Sequence, residues 1–225
     1  AFAATLEAAG HRVHYLRIGD ADNRQVLTAN LDWLIQRYDA TGLMFQEPDE
    51  WRLDAQLNAY AQRQKARGMT VTQVDSEHFY THRTAVSEQF QGKKAWLMER
   101  FNRDMRLQHC VLMSTGDKPV GGQWNFDHDN RQRWQGQPAA RRDQRPCHDH
   151  RALWAEIEAA GIKSFGSPQA ECFRWPLNRQ EALQQFEYFL QHGLPYFGQF
   201  QDAMSSQCWR LFHALISFAL HTKLL

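Results

Sequence analysis

The chain has 225 residues, 43% of them hydrophobic, and carries 26 Lys plus Arg against 25 Asp plus Glu for a net charge of +1. That is enough apolar material for a sizeable core, and it excludes the disordered, collagen-like and disulfide-miniprotein classes. The balanced charge gives no global pull toward nucleic acid or anionic membrane. No run of about 18 apolar residues offers a bilayer span. No basic-then-apolar leader opens the chain, so the expected setting is the cytoplasm, with no membrane contact.

Phe2, Leu6 and Ala9 form an amphipathic pattern that predicts a first helix closed by Gly10. Residues 13–18 make a β-like run. Leu27, Leu31, Leu34, Ile35 and Tyr38 follow the helical period, and 42–46 (GLMFQ) is a short apolar strand. Leu53, Leu57, Tyr60 and Ala61 mark a further helix ending near Gly68, after which 69–74 (MTVTQV) alternates as a strand. Strand, helix, strand, helix, strand predicts an α/β fold, a parallel Rossmann-like sheet with flanking helices. A parallel unit would normally place a strand before the first helix. At the far end, 209–225 is apolar nearly all round, as a helix buried in a larger body would be. The expectation is an internal piece of a longer protein.

Leu97, Phe101 and Met105 predict a helix over 94–110. The stretch 114–146 holds Pro119, Gly121, Gly122, Gly136, Pro138 and Pro146 without sustained periodicity, which marks a long connector. Beyond it the pattern is helical only. One helix spans 151–160 before Gly161, and another follows a capping box of Asn178 and Glu181 and stops at Gly193. The expected organisation is an α/β domain over 1–110, an interdomain linker over 111–150 and the start of an all-α domain over 151–225.

Cys110, Cys147, Cys172 and Cys208 lie far apart, without a C-x-x-C pair, and are expected as reduced thiols. Cys147-His148-Asp149-His150 offers three ligand types but no second pair in register, so no metal site is expected; Asp149 as an N-cap explains it more simply. Six arginines stand between 131 and 151 against two acids. Arg141, Arg142 and Arg145 are therefore candidate DNA contacts, since the planar guanidinium suits phosphate. The competing reading is a solvated linker. Trp124, Phe126 and Trp134 are interleaved here, suited either to stacking on bases or to pinning the linker onto a domain.

Ligands of open α/β sheets sit outside the carboxyl ends of strands. That singles out Gly19 and Asp20 after the first run, Gln46 and Glu47 after the second, and Asp75 after the third. Turn and cap chemistry explains Asp20 and Glu47 equally well. There is no G-x-G-x-x-G, no P-loop and no G-x-S-x-G elbow.

Four blocks in order carry a family likeness: FNRDMRLQHCVLM (101–113), KPVGGQWNFDHDNR (118–131), GQFQDAM (198–204) and FHALISFALHTKLL (212–225). Together they resemble the deoxyribodipyrimidine photolyase-related proteins, the iron–sulfur bacterial cryptochromes and photolyases of the prokaryotic (6-4) type. The resemblance implies an α/β antenna domain holding a ribityl lumazine in a pocket near Gly19, Asp20, Gln46 and Glu47. It further implies an all-α domain with FAD and a [4Fe–4S] cluster, the partner being damaged DNA. The implied reaction is light-driven repair of (6-4) photoproducts flipped out of the duplex. His213 and Ser217 match the region where the family begins its flavin contacts, although Ala214 and His221 replace the family's Ser and Asn. The catalytic residues and cluster cysteines are expected beyond Leu225, so this piece alone should be silent and hold no metal. A monomer is expected. The alternatives are a cryptochrome-like blue-light sensor on the same scaffold and a non-catalytic α/β small-molecule-binding module.

Overall fold

Helix α1 (Phe2–Ala8) ends where Gly10, at φ +88°, turns the chain and His11 N donates to Leu6 O at 3.0 Å. The computed structural model describes all 225 residues. The strand expected over 13–18 does not form. Two or more strands must share their amides to be stable, and this run is instead anchored by side chains. His14 Nδ1 lies 2.9 Å from the Tyr38 hydroxyl, and the His14 ring meets Trp33 edge-on. Asn23 Nδ2 donates to Arg17 O.

Helix α2 (Leu27–Arg37), strand β1 (Gly42–Gln46), helix α3 (Trp51–Ala66) and strand β2 (Thr70–Val74) follow the predicted order within a few residues. β1 and β2 pair in parallel, from Gly42↔Thr70 to Gln46↔Val74, with α3 as the crossover. The expected three-stranded sheet is thus a single parallel pair. α3 begins where the Glu50 carboxylate accepts from Leu53 N, places Asp54 in its first turn, and buries Leu57, Tyr60 and Ala61. Tyr60, fully buried, donates to Asp32 Oδ1 of α2 at 2.7 Å, and Gln64 donates to the same oxygen at 2.9 Å.

A short helix α4 (Ala85–Gln89) precedes α5 (Met98–Gln108), and a two-residue hairpin pairs β3 (Met113–Ser114) with β4 (Lys118–Pro119). The connector then runs without regular elements to α6 (Arg151–Ala159), which stops before Gly161. α7 (Arg179–His192) opens on the predicted cap, Asn178 Oδ1 accepting from Glu181 N at 2.9 Å. The return arm differs, because Glu181 accepts from Leu177 N rather than from the cap itself. α8 (Leu194–Phe200) follows immediately at Gly193, and the last helix is α9 (Ser217–His221).

The continuous helix expected over 209–225 is broken, with Leu211 and Leu215 at φ 36° and 58°. The carbonyls of His213 and Leu215 accept side-chain bonds from Arg141 and Gln185, which competes with helical pairing. Nor is the segment buried throughout, since Trp209 is 64% exposed.

Two compact units result: Ala3–Ala85 with Arg151–Ser167, and Ala1–Phe2 with Val86–His150 and Pro168–Leu225. The first contains the parallel pair. The second has a core of Phe200, Leu211 and Phe212 with Trp134 and Cys208 packed against it.

The expectation of reduced thiols is overturned for one pair. Cys147 and Cys172 form a disulfide, S–S 2.10 Å, while Cys110 and Cys208 are free. Backbone bonds in both directions between His148 and Phe173 lay the two segments side by side, an adjacency that a sequence separation of 25 hides from the sequence. No helix is long and apolar enough to cross a membrane.

Candidate functional site

The four blocks that carry the family likeness meet in the second unit. Trp124 of the Gly-Gly turn block lies under the guanidiniums of Arg103 and Arg106, at 5.4 and 5.2 Å, both on α5. Gly121, at φ +84°, has the Phe126 ring where a β-carbon would stand, 3.0 Å away, so this turn needs glycine on both counts. Asn130 O accepts from Asp202 N, Gln132 N donates to Gln199 O, and Arg131 lies 3.4 Å from Asp202, joining this block to the third. Phe200 of the third block packs on Phe212 of the fourth. The Trp134 indole donates to Pro138 O. Trp124 thus rests against α5, and Trp134 packs against the core of Phe200, Leu211 and Phe212.

The connector next forms a strap, 141–146, along α7 and the 210–215 segment. They line an open cavity of about 450 Å³ whose wall holds four arginines (141, 142, 145 and 210) against two acids, Asp143 and Glu181. Asp143 serves three guanidiniums. Arg145 meets it in a two-pronged bond at 3.0 and 2.9 Å, with Arg210 and Arg174 at 3.6 and 3.8 Å. The Arg145 hydrogen bond foremost, with the charge of Arg210 adding to it, draws the Asp143 carboxyl down to about 2. Arg145 itself is sandwiched between Trp175 and Trp209, 5.3 and 5.1 Å from the ring centres.

Arg141 has no carboxylate partner. It is 9% exposed, donates to His213 O, and rests on the rings of Tyr188 and Phe189. Burial is the main cause that lowers its pKa, and the nearby charge of Arg210 adds to it. Gly193 makes room for this arrangement. A β-carbon there would stand 2.6 Å from Phe189 Cδ2 and 3.1 Å from Arg141 Cζ. Arg141 Nε, Arg210 Nε and Gln185 Oε1 are buried without hydrogen-bond partners.

Of the three candidate DNA contacts, only Arg142 is exposed; Arg141 and Arg145 are engaged internally. His213, a flavin candidate, is brought against Arg141, and its ring stands edge-on to Phe197. Ser217 is exposed at the start of α9. The two lie four residues apart in the fourth block, on either side of Leu215 at positive φ. Cys147 and Cys172, being bonded to each other, are not available as iron–sulfur ligands.

In the first unit, Asp20 accepts from Arg17 N in a turn, and Gly19 faces the Glu156 carboxylate. Gln46 ends β1. Glu47 N donates to Val74 O, and its carboxylate lies 3.6 Å from Arg83, which bonds Asp54 at 2.7 Å and Pro48 O. Sequence reasoning missed Arg83, Arg210, Gln185 and Tyr188. Only Arg210, one of two cations in the apolar run 209–225, left a visible signal.

Residues 1–175 match the family described as deoxyribodipyrimidine photo-lyase-related protein, and the chain belongs to that family. It is similar to a (6-4) photolyase of Agrobacterium fabrum (strain C58 / ATCC 33970), 32% identical over 228 aligned positions that take in 100% of this chain and 43% of that protein. The chain thus spans less than half the length of the curated relative it matches.

Proposed function

We propose that this chain is part of a light-driven, flavin-dependent lyase that repairs pyrimidine photoproducts of the (6-4) type in DNA. The observation that supports the reading most is the identity to a (6-4) photolyase along the entire chain. The convergence of the four likeness blocks in one unit adds to it, because it gives those residues a shared structural reason to occur together.

In this reading the first unit belongs to a Rossmann-like antenna domain, with a ribityl lumazine seated near the carboxyl ends of β1 and β2. Gln46 and Glu47 border that place, and the Arg83 guanidinium holds Glu47 and the Pro48 carbonyl in position. Gly19 and Asp20 supply a further turn. FAD and the [4Fe–4S] cluster belong to the longer protein, as does the chemistry on the lesion, and no step is routed through this chain's residues. The domain boundaries at 110 and 150, and residence as a monomer in the cytoplasm, go with the same reading. Arg142, and Arg133 in the exposed connector, are the cations free to meet the DNA backbone; Arg141 and Arg145 shape the strap that carries Arg142.

The test is repair by the longer protein. Duplex DNA carrying a single (6-4) photoproduct is mixed with it under blue light and in the dark, and restored pyrimidines are counted by digestion and mass spectrometry. Restoration in the light alone is expected. Flavin absorbance without restoration would replace repair by light sensing, and no flavin absorbance would remove both.

A further inference from the structure

Cys147 and Cys172 form one rung of a clasp that fastens the end of the connector to the segment before α7. The two stretches run antiparallel. His148 N donates to Phe173 O at 3.0 Å, Phe173 N returns the bond to His148 O at 2.8 Å, and His150 N donates to Ala170 O at 2.6 Å. The remaining rungs are side chains: Arg145 lies over the Trp175 ring, and Asp143 is 3.8 Å from Arg174. No ladder extends the backbone pairing, since His148↔Phe173 is an isolated bridge, and so short a pairing is marginal in water by itself. The covalent rung therefore carries much of the hold. Between the two cysteines the chain passes into the other compact unit as Arg151–Ser167, with α6, and comes back at Pro168. Closing that excursion at its base takes freedom from the opened clasp, which is how a disulfide stabilises.

We propose that Cys147–Cys172 is a reversible thiol–disulfide exchange site, its substrate a dithiol reductant, and that its redox state sets how firmly the clasp holds the strap. Cys147 is exposed and Cys172 half-buried, which offers a reductant one accessible sulfur. A thiolate of the reductant attacks Cys147 Sγ, and Cys172 leaves as a thiolate that takes up a proton. The second thiolate of the reductant then displaces Cys147, so the dithiol is oxidised to a disulfide and the protein gains two thiols. Exposed bridges are the ones that exchange in this way. In the cytoplasm a disulfide is as a rule transient or redox-sensing rather than permanent. Opening leaves the unit folded, because His148 still lies 3.1 Å from Glu181 of α7 and Arg141 still bonds His213 O. What loosens is the edge of the strap that faces residues 170–175. The site goes beyond the repair reading and takes from it only the cytoplasmic setting.

The 225-residue protein, with Cys110→Ser to remove the exposed free thiol, is treated with millimolar dithiothreitol without denaturant and then with oxidised glutathione. Thiols are trapped by alkylation at each stage and mapped by mass spectrometry, and amide hydrogen exchange is followed in parallel. Dithiothreitol opens the bridge in the folded protein, and oxidised glutathione closes it again. On reduction the amides of His148, His150 and Phe173 exchange at least about tenfold faster, a part of the roughly hundredfold that freeing a loop of this length supplies. The amides of α7 keep their rates. Cys147→Ser exchanges at the reduced rate with or without dithiothreitol. A bridge that yields to dithiothreitol only in urea is a permanent one and overturns the proposal. Clasp amides that exchange alike in both redox states overturn it as well, as does recovery of both cysteines as thiols that oxidised glutathione leaves apart. Repair by the longer protein is read separately, so either result stands without the other.

Discussion

Arg141 donates to the main-chain carbonyl of His213, a residue 72 positions further along the chain. That bond ties the connector to the segment where a continuous helix fails, and the failure and the bond are connected. With Leu211 and Leu215 at positive φ, the intervening carbonyls turn away from helical partners and are met by side chains instead.

Substitution at Arg141 separates the packing of its aliphatic stem from the effect of its charged head. Arg141→Ala removes a charge-assisted bond and the aliphatic stem lying against Tyr188 and Phe189, for an expected loss of about 3 kcal/mol. Arg141→Met keeps most of the stem and removes an uncompensated buried charge, so its cost is expected near 1 kcal/mol. Urea unfolding of the two variants beside the parent chain checks this. Equal losses would show that the stem's contact with Tyr188 and Phe189 contributes nothing to stability.

The acid limb of stability should depend on Asp143. Its folded pKa, drawn down to about 2 by Arg145 first, lies below the ordinary carboxylate value of 3.8. A lowered pKa contributes stability that is complete above the unfolded value and is lost as the pH falls through the folded one. Asp143→Asn is therefore expected to cost about 2 kcal/mol at neutral pH, for loss of a two-pronged ion pair that is mostly shielded from solvent. The difference from the parent should shrink between about pH 4 and pH 2 and vanish below. Thermal melts at half-unit pH steps measure it, and a difference constant down to pH 2 would assign the loss to packing.

What the sequence discloses here follows the range of the interaction. Gly42–Gln46, the α3 pattern and the Asn178 cap are local, governed by period and by bonds between residues three or four apart, and each lies within a few residues of its expected place. The strand expected over 13–18 and the long terminal helix depend on what stands beside them. A β-like run becomes a strand only where another strand meets its amides, and 13–18 meets the side chain of Tyr38 instead. The strap was legible as an arginine cluster but not as a wall, because Gln185 and Arg210 come to it from α7 and the 210–215 segment. Composition reports charge; it does not report that one carboxylate answers three guanidiniums while Arg141 is left without any.

Tyr60 tests the first unit in the same way. Its hydroxyl donates to Asp32 from a fully buried ring, and burial foremost, then the Asp32 bond, lifts its pKa from 10.0 to about 12. Tyr60→Phe leaves the ring's packing intact and removes a bond to a charged acceptor, yet Asp32 keeps Gln64 and is only partly buried. The expected cost is therefore at the low end for such bonds, about 1.5 kcal/mol. The sign in alkali is opposite to that of Asp143. A raised pKa contributes stability that is whole below the unfolded value near 10 and is lost as the pH rises through the folded value near 12. The parent chain should lose stability over that interval more steeply than Tyr60→Phe, so the two unfolding curves converge by pH 12. Parallel curves from pH 9 to pH 12 would mean that the Tyr60 hydroxyl titrates as freely in the fold as in the unfolded chain.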